Sequence, residues 1–322
     1  MTALPAADAM RSPAGLDLWR SAITSAVVPL EIEEAGGVAF RGHLDRTVVG
    51  DVTLFHIAAT PHVVRRTPEL IGPGDRRYYK LSLQLQGTAV LEQDGRRAEL
   101  RPGDLAIYDT HHPYELSFAT NNRAMVVMFP HELVDLPRDE VDRVTAVRFP
   151  SDSGLGKVIN PFFVELGRNL DQLAGASASR LVGSALDLLV TMLTQELYRR
   201  HGTVNNPTRS LAREVREYIL DHLGDPALTP SSIARANHIS TRHLYTIFSG
   251  EGEPVSAWIR SRRLERIRRD LVDPLYADRP VSWIADRWGL TDAAHFSRLF
   301  KAEFGESPTS YRQHLTGQPA QH

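Results

Sequence analysis

Two segments in the last hundred residues repeat one pattern: a short helix, a tight turn, then a helix with large apolar residues on one side only. The first runs ISTRHLYTIFSGEGEPVSAWIRSRRLERIRR, Ile239 to Arg269, and the second GLTDAAHFSRLFKAEFGESPTSYR, Gly289 to Arg312. Apolar residues three and four apart fix a helical period. Leu244, Ile247 and Phe248 mark the inward face of one helix, and Phe296, Leu299 and Phe300 that of the other. The two helices begin about fifty residues apart, joined by a helix over Pro254–Leu271 that carries Trp258, Ile259, Leu264 and Ile267. A chain with this repeat must end in an all-helical domain of two similar units.

The ends of these helices are also legible. Thr229 reads as an N-cap with Pro230 at the first helical position, and Ser240 as the cap of the following helix. In the second unit Val281 opens the support helix, Gly289 supplies the bend, and Thr291 reads as the cap of a helix over Asp292–Glu303. With the apolar residues inward, Thr241, Arg242, Tyr245 and Thr246 point outward in the first unit. Ala293, Ala294, Ser297 and Arg298 do so in the second. Helices of this kind fit a DNA major groove, where arginine can pair with guanine in bidentate fashion and small side chains can touch thymine methyls. Lys301 is placed for a phosphate, which positions without specifying. Two such patterns in one chain imply double-stranded DNA as partner.

Charge is consistent with a focused contact rather than a basic coat. The chain has 37 Lys and Arg against 39 Asp and Glu, a formal charge of −2. Arg260, Arg262, Arg263, Arg266, Arg268 and Arg269 nevertheless crowd the connecting helix. They read either as phosphate contacts or as ion pairs on a solvated face.

The final domain closely resembles the AraC/XylS family of transcription regulators. The match is carried by Ile233-Ala234, Ser240, Leu244, Phe248, Ile259, Arg262-Leu264 and Leu271. In the second unit it is carried by Gly289, Phe296, Ser297-Arg298, Phe300-Lys301, Phe304-Gly305, Pro308 and Tyr311-Arg312. The resemblance implies base contacts from Arg242, Tyr245 and Thr246 in the first unit and from Ala293, Ala294, Ser297 and Arg298 in the second. Thr246 stands where relatives frequently carry arginine, which either shifts first-unit reading toward Arg242 or lowers the contribution of this unit. The resemblance also implies an activator acting with RNA polymerase, a small organic effector, and a homodimer.

The first two hundred residues change character. Short apolar stretches between Gly, Pro and Asp turns, such as DVTLFHIAA, YYKLSLQLQG, AVLEQDG, LAIYDT and RAMVVMFP, point to a strand-rich sandwich or small barrel. In the family resemblance this segment looks like a cupin-like β-barrel with helices. The resulting expectation is an α+β chain. A cupin-like sensing and dimerisation domain over 16–200 leads through a linker over 201–208 to a tandem helix-turn-helix domain over 209–315.

Helical spacing returns at Val158, Phe162, Phe163 and Leu166, then in a long helix from about Ala176 to Arg200. Its stripe of Val182, Leu186, Leu189 and Leu193 reads equally as a dimer contact or as core. Candidate effector-binding residues are His56, Tyr78, Lys80, Ser82, Gln84, Tyr108 and His111. Lys80, Ser82 and Gln84 share one face of a strand, opposite Leu81, Leu83 and Leu85, and that face is either a pocket wall or solvent.

His111-His112 does not make a metal motif, because neighbours on a strand point to opposite faces. No metal, cofactor or catalytic residue is expected, and a cupin-type metalloenzyme would need a ligand set that the sequence does not display. The absence of cysteine excludes disulfides, thiolate catalysis and Cys-ligated zinc. With no apolar run of membrane length and no signal-peptide pattern near Met1, the expectation is a cytoplasmic protein without a membrane partner.

Overall fold

The structure is a computed structural model of the 322-residue chain. It describes residues 15–316 apart from 36, 38, 135, 170–174, 202–206 and 250–253. The chain divides into two compact units, one containing residues 1–174 with 181–200, the other 175–180 with 201–322. Most of the expected linker, 202–206, lies outside the described residues.

Among the described residues the first unit has helix α1 (Gly15–Ala26) followed by ten strands. These are β1 (Glu31–Glu34), β2 (Gly42–Val49), β3 (Val52–Ala59), β4 (His62–Arg66), β5 (Tyr78–Gln86), β6 (Ala89–Gln93), β7 (Arg96–Leu100), β8 (Leu105–Asp109), β9 (Tyr114–Phe118) and β10 (Asn122–Pro130). Every pairing is antiparallel. One sheet has the order β1-β4-β9-β6-β7 and the other β2-β3-β10-β5-β8. Among the described residues neither sheet closes on itself, so the expected cupin-like barrel is corrected to two open antiparallel sheets with helices. Among the described residues the edges β1, β7 and β2 have a neighbouring strand on one side, while the outer edge of β8 is covered by residues 146–149, Leu105 and Phe149 exchanging backbone hydrogen bonds at 3.1 and 2.8 Å.

Five of the ten strands were not individually visible in the sequence: β1, β2, β4, β7 and β9. They carry charged residues among the apolar ones, as in GHLDRTVV and RRAEL, which breaks up the apolar run that marked the others.

Apolar residues from both sheets make a common core. Ile32, Val64, Leu91 and Leu116 come from one sheet, and Ala59, Ala106 and Tyr108 from the other, with Trp19 and Ile23 of α1 packed among them. Burying each large side chain contributes roughly 1.5–3 kcal/mol. The β7–β8 turn is fixed by Asp104, fully buried, whose carboxylate accepts from the Arg101 and Ser151 amides at 2.8 and 3.0 Å and from Arg148 Nε at 2.7 Å.

After α2 (Arg138–Val141) come α3 (Gly156–Arg168) and α4 (Gly175–His201). The buried stripe of α3 is Ile159, Phe163 and Leu166; Val158, expected on it, is 73% exposed. Position 158 precedes 159 by one residue, about 100° around the helix, enough to carry it off the stripe.

The second unit is all helical: α5 (Pro207–Asp221), α6 (Pro230–Ala236), α7 (Thr241–Ser249), α8 (Val255–Leu271), α9 (Val281–Arg287), α10 (Ala293–Phe304) and α11 (Pro308–Thr316). It has two cores. Val215, Ile219, Ile233, Leu244 and Phe248 pack with Val255, Trp258 and Ile259 from the first half of α8. Ile284, Ala285, Phe296 and Phe300 pack with Leu264, Ile267 and Leu271 from its second half. A single helix thus supplies a wall to each core.

Candidate functional site

The two helix-turn-helix units are built alike at their turns. In the first, the Ile239 amide donates to Ala234 O at 2.9 Å, with His238 at φ 55°. In the second, the Leu290 amide donates to Ala285 O at 3.0 Å, with Gly289 at φ 73°. The same left-handed position is filled by glycine once and by histidine once. Histidine is among the residues that tolerate it better than most.

Each turn delivers a capped helix. Thr229 caps α6 with Pro230 at the first helical position, and Ser232 completes a reciprocal capping box. Ser240 Oγ accepts from the His243 amide at 3.1 Å, capping α7. Asp292 Oδ1 accepts from the His295 amide at 2.8 Å, capping α10. The expected cap Thr291 is therefore corrected to Asp292. That backbone N–H, which bonds best to an ionised acceptor, holds the Asp292 carboxyl below its ordinary range. The correction aligns the units: Ser240, Leu244 and Phe248 now correspond to Asp292, Phe296 and Phe300.

The outward faces correspond as well. Thr241, Arg242, Tyr245 and Thr246 are exposed on α7, while Leu244 and Phe248 are buried beneath them. Ala293, Ala294, Ser297, Arg298 and Lys301 are exposed on α10, above Phe296 and Phe300. Thr246 Oγ1 donates to Arg242 O at 3.0 Å. His243 and His295 occupy matching exposed positions one residue further along each helix. Sequence reading missed this pair because it counted only the centre of each face.

The arginines of α8 do not form an open basic stripe. Arg268 is buried, pairs with Glu265 at 2.9 Å and lies over the Phe304 ring. Arg262 lies over Trp258 and Arg266 over Trp288, so their stems and charges serve packing. Arg260 is exposed. Arg263 is 8% exposed and donates to three carbonyls: Leu223 O at 2.9 Å, Asp225 O at 2.6 Å and Gly289 O at 3.3 Å. Burial holds its guanidinium below its ordinary range.

In the first unit a cavity of about 50 Å³ lies between the two sheets, beneath α1. Lys80, Ser82 and Tyr108 of the expected set line it, together with His62 and Tyr114, which sequence reading missed. The alternation in β5 is thus inverted from the usual: its polar residues face the interior. Leu81 and Leu83 are buried too, on the other face of that sheet. Lys80 Nζ donates to Tyr114 Oη at 2.7 Å. Its ammonium is pushed down to about 7, by burial first and then by the positive charge of Arg66. Burial also lowers His62, partly offset by the Thr60 carbonyl it bonds at 2.8 Å.

The other expected residues lie elsewhere. Tyr78 packs beside the cavity against Phe55 and Val126. Gln84 is buried on the same face as Lys80, with its amide donating to Gln86 O at 2.7 Å. His56 is on the opposite face of its sheet, near Gly167 of α3. His111 sits in the β8–β9 turn, half-buried, held below its ordinary range by desolvation and then by Arg77. Donor atoms of Asp109, His112 and Asp142 lie within 4.8 Å of one another. Asp109 already pairs with His131 and accepts from the His111 amide, and His112 pairs with Asp94. Val182, Leu186, Leu189 and Leu193 of α4 are all buried within the chain itself. No helix among the described residues is long and apolar enough to cross a membrane.

Comparison with known proteins agrees with this geometry. The family model of an AraC-binding-like domain matches residues 19–194, and that of a helix-turn-helix domain matches residues 233–314. The chain is 32% identical over 266 residues to the transcriptional activator NphR of Rhodococcus sp, covering 82% of this chain and 78% of the relative. It is 27% identical over 247 residues to the arabinose operon regulatory protein of Escherichia coli, covering 73% and 80%. Identity to the XylDLEGF operon transcriptional activator 1 of Pseudomonas putida is 24% over 285 residues, covering 83% of each. Among solved structures, the AraC-like transcriptional activator CuxR shares the fold at a TM-score of 0.50 and 20% identity, over 83% of this chain and 94% of that one. Two matched units, a shared fold and a relative similar along most of its length lead to one conclusion: the chain belongs to the AraC/XylS family of DNA-binding transcription regulators.

Proposed function

We propose that this protein reads a bipartite DNA sequence with α7 and α10 and that a small organic molecule held in its first unit alters that reading. The observation that carries the proposal is the pair of equivalent, capped helices whose outward faces are exposed, with Tyr245 the one large ring among the named outward residues. Arg242 and Arg298 take guanine edges. Thr241, Tyr245, Thr246, Ala293, Ala294 and Ser297 make the closer base and sugar contacts, and Lys301 meets a phosphate. The helix N-termini add backbone donors for phosphate.

The regulator acts as an activator, a reading supported by the names of two relatives, and in this proposal it works with RNA polymerase and as a homodimer. Because the Val182–Leu193 stripe is already buried in the chain, a dimer contact through α4 uses its other face. An effector works only through a difference in affinity between two states of the protein.

The test is selection of bound sequences from a random DNA pool with the full chain, followed by footprinting. Two protected major-groove segments on one side of the duplex are expected. A single segment, or binding without sequence preference, would overturn the bipartite reading. Light scattering on the same sample tests the dimer.

A further inference from the structure

We propose that the cavity between the two sheets is a site for a small monocarboxylate, with its apolar body against the cavity walls and its carboxylate on Lys80 Nζ and Tyr114 Oη. The inference deepens the effector reading above and rests on it for its regulatory meaning, though the binding itself stands separately.

The walls define the body of the ligand. Ile23, Val27, Phe55, Ile57, Leu116 and Val126 are all apolar and surround the space from α1 and both sheets. Polar groups gather around Lys80, where Ser82, Tyr108 and Tyr114 join it. Among the described residues no Asp or Glu lines the cavity. Lys80 is 2% exposed, and among the described residues its amine has the Tyr114 hydroxyl and the Tyr108 and Tyr114 rings as neighbours, with no carboxylate. A buried ammonium without an anion is costly, so such groups are either paired or neutral. Arg66 adds positive potential nearby, and its own charge is already met by Asp75 at 2.8 Å and by the carbonyls of Pro29 and Thr110. In its ammonium form the site is therefore one carboxylate short.

An incoming monoanion completes it. The carboxylate accepts from Nζ and from the tyrosine hydroxyl, and the ammonium form of Lys80 becomes the favoured one. A cation would face Lys80 and Arg66 and is rejected. A neutral amide of the same shape lacks the charge. The size is also bounded, since about 50 Å³ holds roughly four water-sized groups. Larger acids enter only if α1, which contributes Trp19 and Ile23 to the lining, and Val27 just after it move outward.

The experiment is calorimetric titration of the full chain with acetate and butyrate, beside acetamide and butyramide, repeated with K80M and Y114F. DNA affinity is followed in parallel with each compound. At least one acid is expected to bind, its amide at least about tenfold more weakly, as loss of a charge-assisted bond implies. K80M is expected to abolish acid binding while still binding DNA, and Y114F to weaken it. Amides that bind as well as acids, acids that bind K80M unchanged, or no binding of either acid to the wild type would each overturn the proposal. Lys80-dependent acid binding without any change in DNA affinity would support the site and remove the effector reading. DNA binding that responds to an amide while neither acid binds would do the reverse.

Discussion

Arg263 and Gly289 are fitted to each other: Nη1 donates to the Gly289 carbonyl at 3.3 Å, and a Cβ on residue 289 would lie 2.8 Å from Nη2. The same guanidinium holds the carbonyls of Leu223 and Asp225, just beyond the end of α5. One side chain from the connecting helix therefore joins the first helix-turn-helix unit to the turn of the second. Rigid helices alone would not fix the spacing of α7 and α10, because α8 meets each unit through its own core. Replacing Arg263 by Ala leaves three carbonyls to find new donors and is expected to cost roughly 2–4 kcal/mol in urea unfolding of the full chain. Lysine should recover little, since it lacks the planar fork. In DNA binding, R263A should tolerate altered spacing between the two recognised segments. Unchanged spacing preference would show that the contact holds the fold without setting the reading distance.

The two equivalent turns should respond differently to substitution. G289A combines left-handed strain of about 1–2 kcal/mol with displacement of the guanidinium, so a total loss of roughly 2–3 kcal/mol is expected. H238G relieves strain but adds freedom to the unfolded chain, and should fall within about 1 kcal/mol of the wild type. Thermal or urea melts of both variants decide this. Equal losses would mean that the Arg263 contact adds nothing to the second turn.

On DNA, the exposed residues should separate into specifying and positioning groups. R242A and R298A are each expected to cost about 1–3 kcal/mol on the selected site and to relax preference in one segment only. K301A should weaken selected and scrambled sequences alike and reduce the salt slope by about 1. Electrophoretic titrations at three salt concentrations separate the two behaviours. Uniform weakening by R242A would reassign that arginine to a phosphate.

The helical unit was largely legible because its elements carry strong local signals: Thr229-Pro230, Ser240, and the buried pairs Leu244–Phe248 and Phe296–Phe300. The cap at Asp292 was misplaced by one residue because Thr291 is as good a capping type, and only the backbone geometry chooses between them. The use of Arg263 was hidden, since a buried arginine and a solvated one look alike in a helix. In the first unit the strands with apolar runs could be read. Sheet closure could not, because it depends on which edges meet rather than on any local pattern. The alternation in β5 correctly grouped Lys80 with Ser82, but whether that face was interior depended on the opposing sheet. His62 and Tyr114, which complete the cavity, sit on strands whose mixed composition concealed them. His56 was misplaced because its exact register in β3 decides which side it faces: Phe55 and Ile57 line the cavity, and the residue between them cannot.

Lys80 also makes a prediction about stability. Its amine titrates near 7 in the folded chain against an ordinary value of 10.5. Between those values the unfolded chain binds a proton that the folded chain does not, so this group's contribution makes stability rise with pH across that window. Below about 7 the full cost of burying the ammonium applies, and above about 10.5 it vanishes. Substitution by Met removes the titrating group and keeps a similar length of apolar chain. K80M should therefore be more stable than the wild type at pH 6, by roughly 1–3 kcal/mol after allowing for the Tyr114 hydroxyl that loses its donor. The advantage should shrink steadily toward pH 10. Urea midpoints of both proteins at pH 6, 8 and 10 provide the measurement. A gain that stays constant with pH would mean packing alone is responsible, and a loss at pH 6 would mean that the ammonium already has an anion beside it.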